Sequence, residues 1–115
     1  MALGGDGGIT VAGNEVPRGF ADLVEAGLAG SWDRARELHY RLLPLLRANF
    51  LETNPVPVKT ALELMGRGRA HFRSPLCEMS ADNVERLRGA LAQAGVALPA
   101  PTEPGRNPAP AAAAR

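Results

Sequence analysis

Lysine occurs once in this sequence, at Lys59, against twelve arginines. Any reaction that runs through a lysine amine, imine formation with a carbonyl compound above all, therefore has one candidate. A lysine that does such chemistry is desolvated or set beside another cation, so that its nitrogen is free to attack. Lys59 instead follows the turn Asn54-Pro55-Val56-Pro57 at the start of a helical run, with Thr60 beside it and Glu63 one turn on. A lysine there extends to solvent or bonds to a carbonyl, and Glu63 at i+4 supplies an ion partner. Lys59 reads as structural.

The other reactive side chains are as sparsely supported. His39 lies in a helical run beside Arg36 and Tyr40, and His71 lies in a polar connector; both read as surface or partly buried histidines. Cys77, the one cysteine, has no neighbours that would mark it as a nucleophile. One cysteine and two separated histidines do not make a metal-ligand set, and no cofactor is expected. The cluster Gly4-Gly5-Asp6-Gly7-Gly8 has the composition of a phosphate loop. It precedes a β-prone run instead of a helix N-terminus, so the signal is weak.

The elements that must carry these residues follow from pattern and punctuation. Ile9–Ala12 is a short β-prone run closed by Gly13-Asn14. A lone strand leaves its backbone groups unpaired, so the run implies a sheet formed with other strands, or else an extended arm. Pro17 opens a helix over 17–29 with Phe20, Leu23, Val24 and Leu28 on one face; Gly27 there serves close packing or marks fraying. Gly30 ends it, and Ser31 is expected to cap a second helix through 52. That helix carries Ala35, Leu38, Leu42, Leu45 or Leu46, and Phe50 toward a core, with a kink ahead of Pro44. A third helix over 56–65 stops at Gly66. Residues 67–79 read as a polar connector, and Ser80 is expected to cap a fourth helix over 81–94 that turns Val84, Leu87, Leu91 and Ala94 inward. The Pro/Ala-rich end has no apolar periodicity and reads as disordered.

Composition bounds the rest. The chain has 115 residues, 45% hydrophobic, with a net charge of +1. That allows one small domain of marginal stability. The scattered charge argues against nucleic acid, and the apolar stretches are too short to cross a bilayer. With no signal segment and one cysteine, the expected compartment is the cytoplasm.

Three stretches together resemble the dihydrodipicolinate synthase family, which includes N-acetylneuraminate lyase-type aldolases. They are Leu3 to Arg18 (LGGDGGITVAGNEVPR), Arg41 to Leu45 (RLLPL), and Glu52 to Lys59 (ETNPVPVK), with its Asn-Pro-x-Pro-x-Lys turn. Order and spacing both fit, over roughly residues 3–97. The chain departs from the pattern in the Gly- and Arg-rich stretch Gly66 to Ser74 and in its extra tail.

The resemblance implies a mostly α chain comprising the last strand and C-terminal helices of a (β/α)8 TIM barrel. Residues 1–16 would hold the strand, 17–97 the helices and 98–115 the disordered tail. Such barrels need about 250 residues, so most of the barrel would lie upstream. The implied activity is that of a pyruvate-dependent Schiff-base lyase, most specifically 4-hydroxy-tetrahydrodipicolinate synthase, taking pyruvate and an aldehyde or keto-acid and assembling as a homo-oligomer. The family's imine-forming lysine, proton-relay tyrosine and carboxylate-binding threonines would lie on the upstream strands, so no catalytic residue maps here. One substrate-binding residue does map: Ile9, through its backbone carbonyl at the mouth of the barrel. The rival reading is a non-catalytic helical module that binds a partner subunit through apolar faces. For the isolated chain, faces that a barrel would cover are expected to give self-association or loose packing.

Overall fold

The structure, a computed structural model, describes residues 3–99. It contains a 3-10 turn, Val11–Asn14, and four helices: α1 (Pro17–Leu28), α2 (Trp32–Ala48), α3 (Val56–Leu64) and α4 (Ala81–Gln93). The tail from residue 100 on, expected to be disordered, lies outside the described residues.

Among the described residues there is no strand, which corrects the expectation for Ile9–Ala12. Thr10 is extended at φ −141° and ψ 143°, but the backbone then closes on itself. The Asn14 side chain donates to the Val11 carbonyl at 2.9 Å, and the Glu15 and Val16 amides both donate to Ala12. The physical reason is pairing: with no second strand at hand, these backbone groups find partners locally.

The helices lie where periodicity places them. Pro17 starts α1, its missing N–H falling where no helical bond is needed. Phe20, Leu23 and Val24 are half-buried and Gly27 is buried in the last turn, whereas Leu28 is exposed. Along α2, Ala35, Leu38, Leu42, Leu45 and Ala48 form the buried stripe, and the helix runs through Pro44 without a break. It ends at Ala48, short of the expected 52. Phe50 and Leu51 donate instead to carbonyls three residues back, and this tightening leaves Phe50 68% exposed, outside the core it was assigned to. The core joins Leu42 and Leu45 of α2 to Val56 and Ala61 of α3 and Leu87 and Leu91 of α4. The connector is less polar in effect than in composition: Met79 is buried, and Phe72 and Leu76 pack against the core, as does Leu98 beyond α4.

Glycine and glutamate settle the helix ends. Gly30, Gly66 and Gly95 each follow a helix, and each helix closes with the same bond pair, as in Val96 N–H to Leu91 O and Gly95 N–H to Ala92 O. Gly95 takes φ +83°, a left-handed conformation in which a Cβ is strained. Neither Ser31 nor Ser80 makes a side-chain cap bond, contrary to expectation. The Ser31 amide is engaged in closing α1 by donating to Ala26, and its ψ of 65° is not the extended backbone of a capping serine. The Ser80 hydroxyl donates to Glu52 instead. One oxygen of Glu52 accepts from Ser80 N and Ser80 Oγ, both at 3.0 Å, and from Asn83 Nδ2 at 2.9 Å. A carboxylate from the loop after α2 thus caps α4, 28 residues away, at the end of a helix that favours negative charge.

The bond from Asn83, followed by those from Ser80, holds the Glu52 carboxyl below its ordinary value of 4.5. A depressed folded value makes the clasp's stabilisation complete above the unfolded pKa and lost as pH falls through the folded one. Glu52→Ala is accordingly expected to speed hydrogen exchange at the amides of Ser80 to Val84 at neutral pH. In acid the wild-type and variant rates, corrected for intrinsic exchange, are expected to converge; parallel profiles at all pH would show that the clasp carries no charge-dependent energy.

Candidate functional site

The segment that carries Ile9 is extended and lies along the first turns of α1. Gly8 passes over the Phe20 ring, where a Cβ would stand 3.5 Å from the ring edge. Beyond it the Ile9 side chain is fully exposed. Gly7, Gly8, Thr10 and Gly13 on one side and Pro17, Phe20 and Val24 on the other enclose an open groove of about 460 Å³. Among the described residues the one ionisable side chain lining it, Glu25, pairs with Arg18 at 3.3 Å. The surface of the groove is mostly apolar, and Ile9 is not among the residues that line it. Among the described residues it contains no amine, and its one side-chain hydroxyl is that of Thr10.

The other candidates lie elsewhere. Lys59 Nζ donates to the His71 carbonyl at 2.8 Å and stands 5.8 Å from the centre of the Phe72 ring. Among the described residues Glu63 makes no ion pair with it, so the expected i+4 partner gives way to a carbonyl of the connector. The amine ties residues 71 and 72 to α3. Tyr40 is exposed on α2, with His39 edge-on at 5.5 Å. No hydrogen bond, ion pair or ring contact among the described residues joins Lys59, Tyr40 and Ile9. His71 and Cys77 are exposed.

One polar pair went unsuspected. Glu15 and Asn49 are 2% and 1% exposed, and Asn49 Nδ2 donates to Glu15 Oε2 at 2.7 Å. Burial pushes the Glu15 carboxyl up to about 7, against the lowering effect of the Asn49 bond. A signal for half of this pair was available: Asn49 continues the spacing of 35, 38, 42 and 45 along the buried stripe, so a polar residue there needs a buried partner. Nothing local identified Glu15 as that partner.

Comparison with known proteins adds to this geometry. The dihydrodipicolinate synthetase family matches residues 1–94. The 4-hydroxy-tetrahydrodipicolinate synthase of Methanocaldococcus jannaschii is 49% identical over 96 residues, which cover 84% of this chain and 33% of that protein. The crystal structure of dihydrodipicolinate synthase from Aquifex aeolicus superposes with a TM-score of 0.80 at 46% identity, again over 84% of this chain and 33% of that one. The chloride-inhibited enzyme from Acinetobacter baumannii, solved with pyruvate, superposes with a TM-score of 0.78 at 35% identity over 83% and 33%. The chain therefore spans about a third of the length of the relatives it matches.

Proposed function

The chain belongs to the dihydrodipicolinate synthetase family, and from that premise we propose that it is the C-terminal part of a pyruvate-dependent Schiff-base lyase of the 4-hydroxy-tetrahydrodipicolinate synthase type, acting in lysine biosynthesis. The observation that carries this reading is the match to the Methanocaldococcus jannaschii enzyme, 49% identical along nearly all of the described residues. In such an enzyme a lysine amine attacks the ketone of pyruvate, water leaves, and loss of a methyl proton from the resulting imine stores a carbanion as an enamine. The enamine then adds to the aldehyde, for which aspartate semialdehyde is the proposed partner.

The part assigned to this chain is binding and support. The Ile9 carbonyl accepts a hydrogen bond at the substrate end of the barrel, and α1 to α4 brace the last turn of the fold. The lysine and the proton-relay tyrosine come from sequence that this chain does not contain, so the chain alone is inactive. A homo-oligomer in the cytoplasm is the proposed setting.

The test is a chimera. Residues 1–98 of this chain replace the matching stretch of the Methanocaldococcus jannaschii enzyme, and condensation of pyruvate with aspartate semialdehyde is measured. The expected result is an active chimera. A folded chimera that binds neither substrate would reject the reading in favour of a helical module with a partner of its own.

A further inference from the structure

The buried pair of Glu15 and Asn49 has a property that the proposed catalytic role does not use. The Asn49 amide nitrogen donates to Glu15 Oε2 at 2.7 Å and to the Leu45 carbonyl at 3.3 Å. Exchanging its oxygen and nitrogen would aim an acceptor at the Leu45 carbonyl, which can only accept, so the orientation is fixed. Among the described residues two buried side-chain atoms then have no hydrogen-bond partner: Glu15 Oε1 and Asn49 Oδ1. Both are acceptors when the carboxyl is ionised. A single proton on Oε1 gives the pair the donor it lacks, and an acid and a primary amide can then close a two-bond ring.

Among the described residues no cation pairs with that carboxyl. The 3-10 turn before Glu15 packs on α1, α2 and α3. On α1, Arg18 pairs with Asp22 and Glu25. On α2, Asp33, Arg34, Arg36 and Glu37 pair among themselves, and His39, Tyr40, Arg41 and Arg47 are exposed. On α3, Lys59 is held by His71 and Glu63 is exposed. Burial without a counter-charge favours the neutral acid.

We propose that Glu15 is a neutral carboxylic acid paired with Asn49, and that this pair is a proton-dependent latch docking residues 9–16 onto the C-terminal end of α2. Loss of the proton leaves a buried, unpaired charge, and the segment that carries Ile9 is released. The direction follows from linkage. The folded carboxyl sits at about 7 and the unfolded one at 4.5, so between these values the folded chain holds more protons and stability falls as pH rises. The ratio of folded to unfolded chain is expected to drop by roughly two orders of magnitude between pH 4.5 and 7 from this group alone.

The experiment is a carbon-13 titration of the side-chain carboxyls in the full chain, with hydrogen exchange of the Glu15 and Val16 amides, which close the turn. The expected result is one glutamate titrating near 7, assigned as Glu15 by its absence in Glu15→Gln, with amide exchange above that pH rising more steeply than the intrinsic rate does. Glu15→Gln, whose amide supplies the missing donor permanently, is expected to keep both amides protected up to pH 9. A Glu15 midpoint near 4.5 would overturn the proposal. So would equal pH dependence of amide exchange in wild type and Glu15→Gln. If the variant does not fold, the wild-type titration, assigned by sequential NMR, decides alone.

Discussion

Incubated with pyruvate and then reduced with borohydride, the purified chain is expected to keep its mass. Borohydride converts an imine into a stable secondary amine, so a chain that forms the imine is trapped with the three carbons of pyruvate attached. The one lysine is placed for another task. Its amine donates to the His71 carbonyl at 2.8 Å beside the Phe72 ring, tying the connector to α3. Among the described residues the groove lined by Gly7, Gly8 and Thr10 contains no amine. Tyr40, exposed on α2 with His39 as its ring partner, is not positioned to pass a proton to that groove. A stoichiometric gain in mass that disappears in Lys59→Arg would show that this lysine works as a nucleophile. The same gain in both forms would point to the terminal amine.

Leu45→Ala is expected to cost about 2–5 kcal/mol, the range for emptying a fully buried leucine site. Leu45 is 0% exposed in the core that α2 shares with α3 and α4, where Leu87 and Leu91 are equally enclosed. A domain of this size has roughly 5–15 kcal/mol in total, so one such cavity removes a large share of its stability. Leu28→Ala is the control: that side chain is 54% exposed at the end of α1, and surface substitutions stay within about 0.5 kcal/mol. Urea titrations followed by far-UV circular dichroism, at several chain concentrations to reveal self-association, measure both. Equal midpoints for the two variants would mean that the core is loosely packed and that α2 is not held by Leu45.

What the sequence by itself determined is what depends on neighbours in the chain. Helix positions follow from apolar residues three and four apart and from the glycines that end three of the four runs. Gly30, Gly66 and Gly95 stop their helices because a left-handed residue there lets the last carbonyls be satisfied within one turn. The family resemblance was legible for a related reason, since its turn and its proline-bearing helix are contiguous motifs. Tertiary structure decided what depends on distant partners. Ile9–Ala12 has the composition of a strand, but strand formation requires a neighbour, and without one the backbone closed into a 3-10 turn from Val11 on. Ser80 looked like a self-sufficient cap until Glu52, 28 residues earlier, supplied the acceptor. Lys59 took a carbonyl 12 residues on instead of the carboxylate one turn away. Glu15 met Asn49 across 34 residues. Burial there, and not residue type, turned an ordinary glutamate into a group that holds its proton near neutral pH, because desolvation acts only once the chain has folded around it.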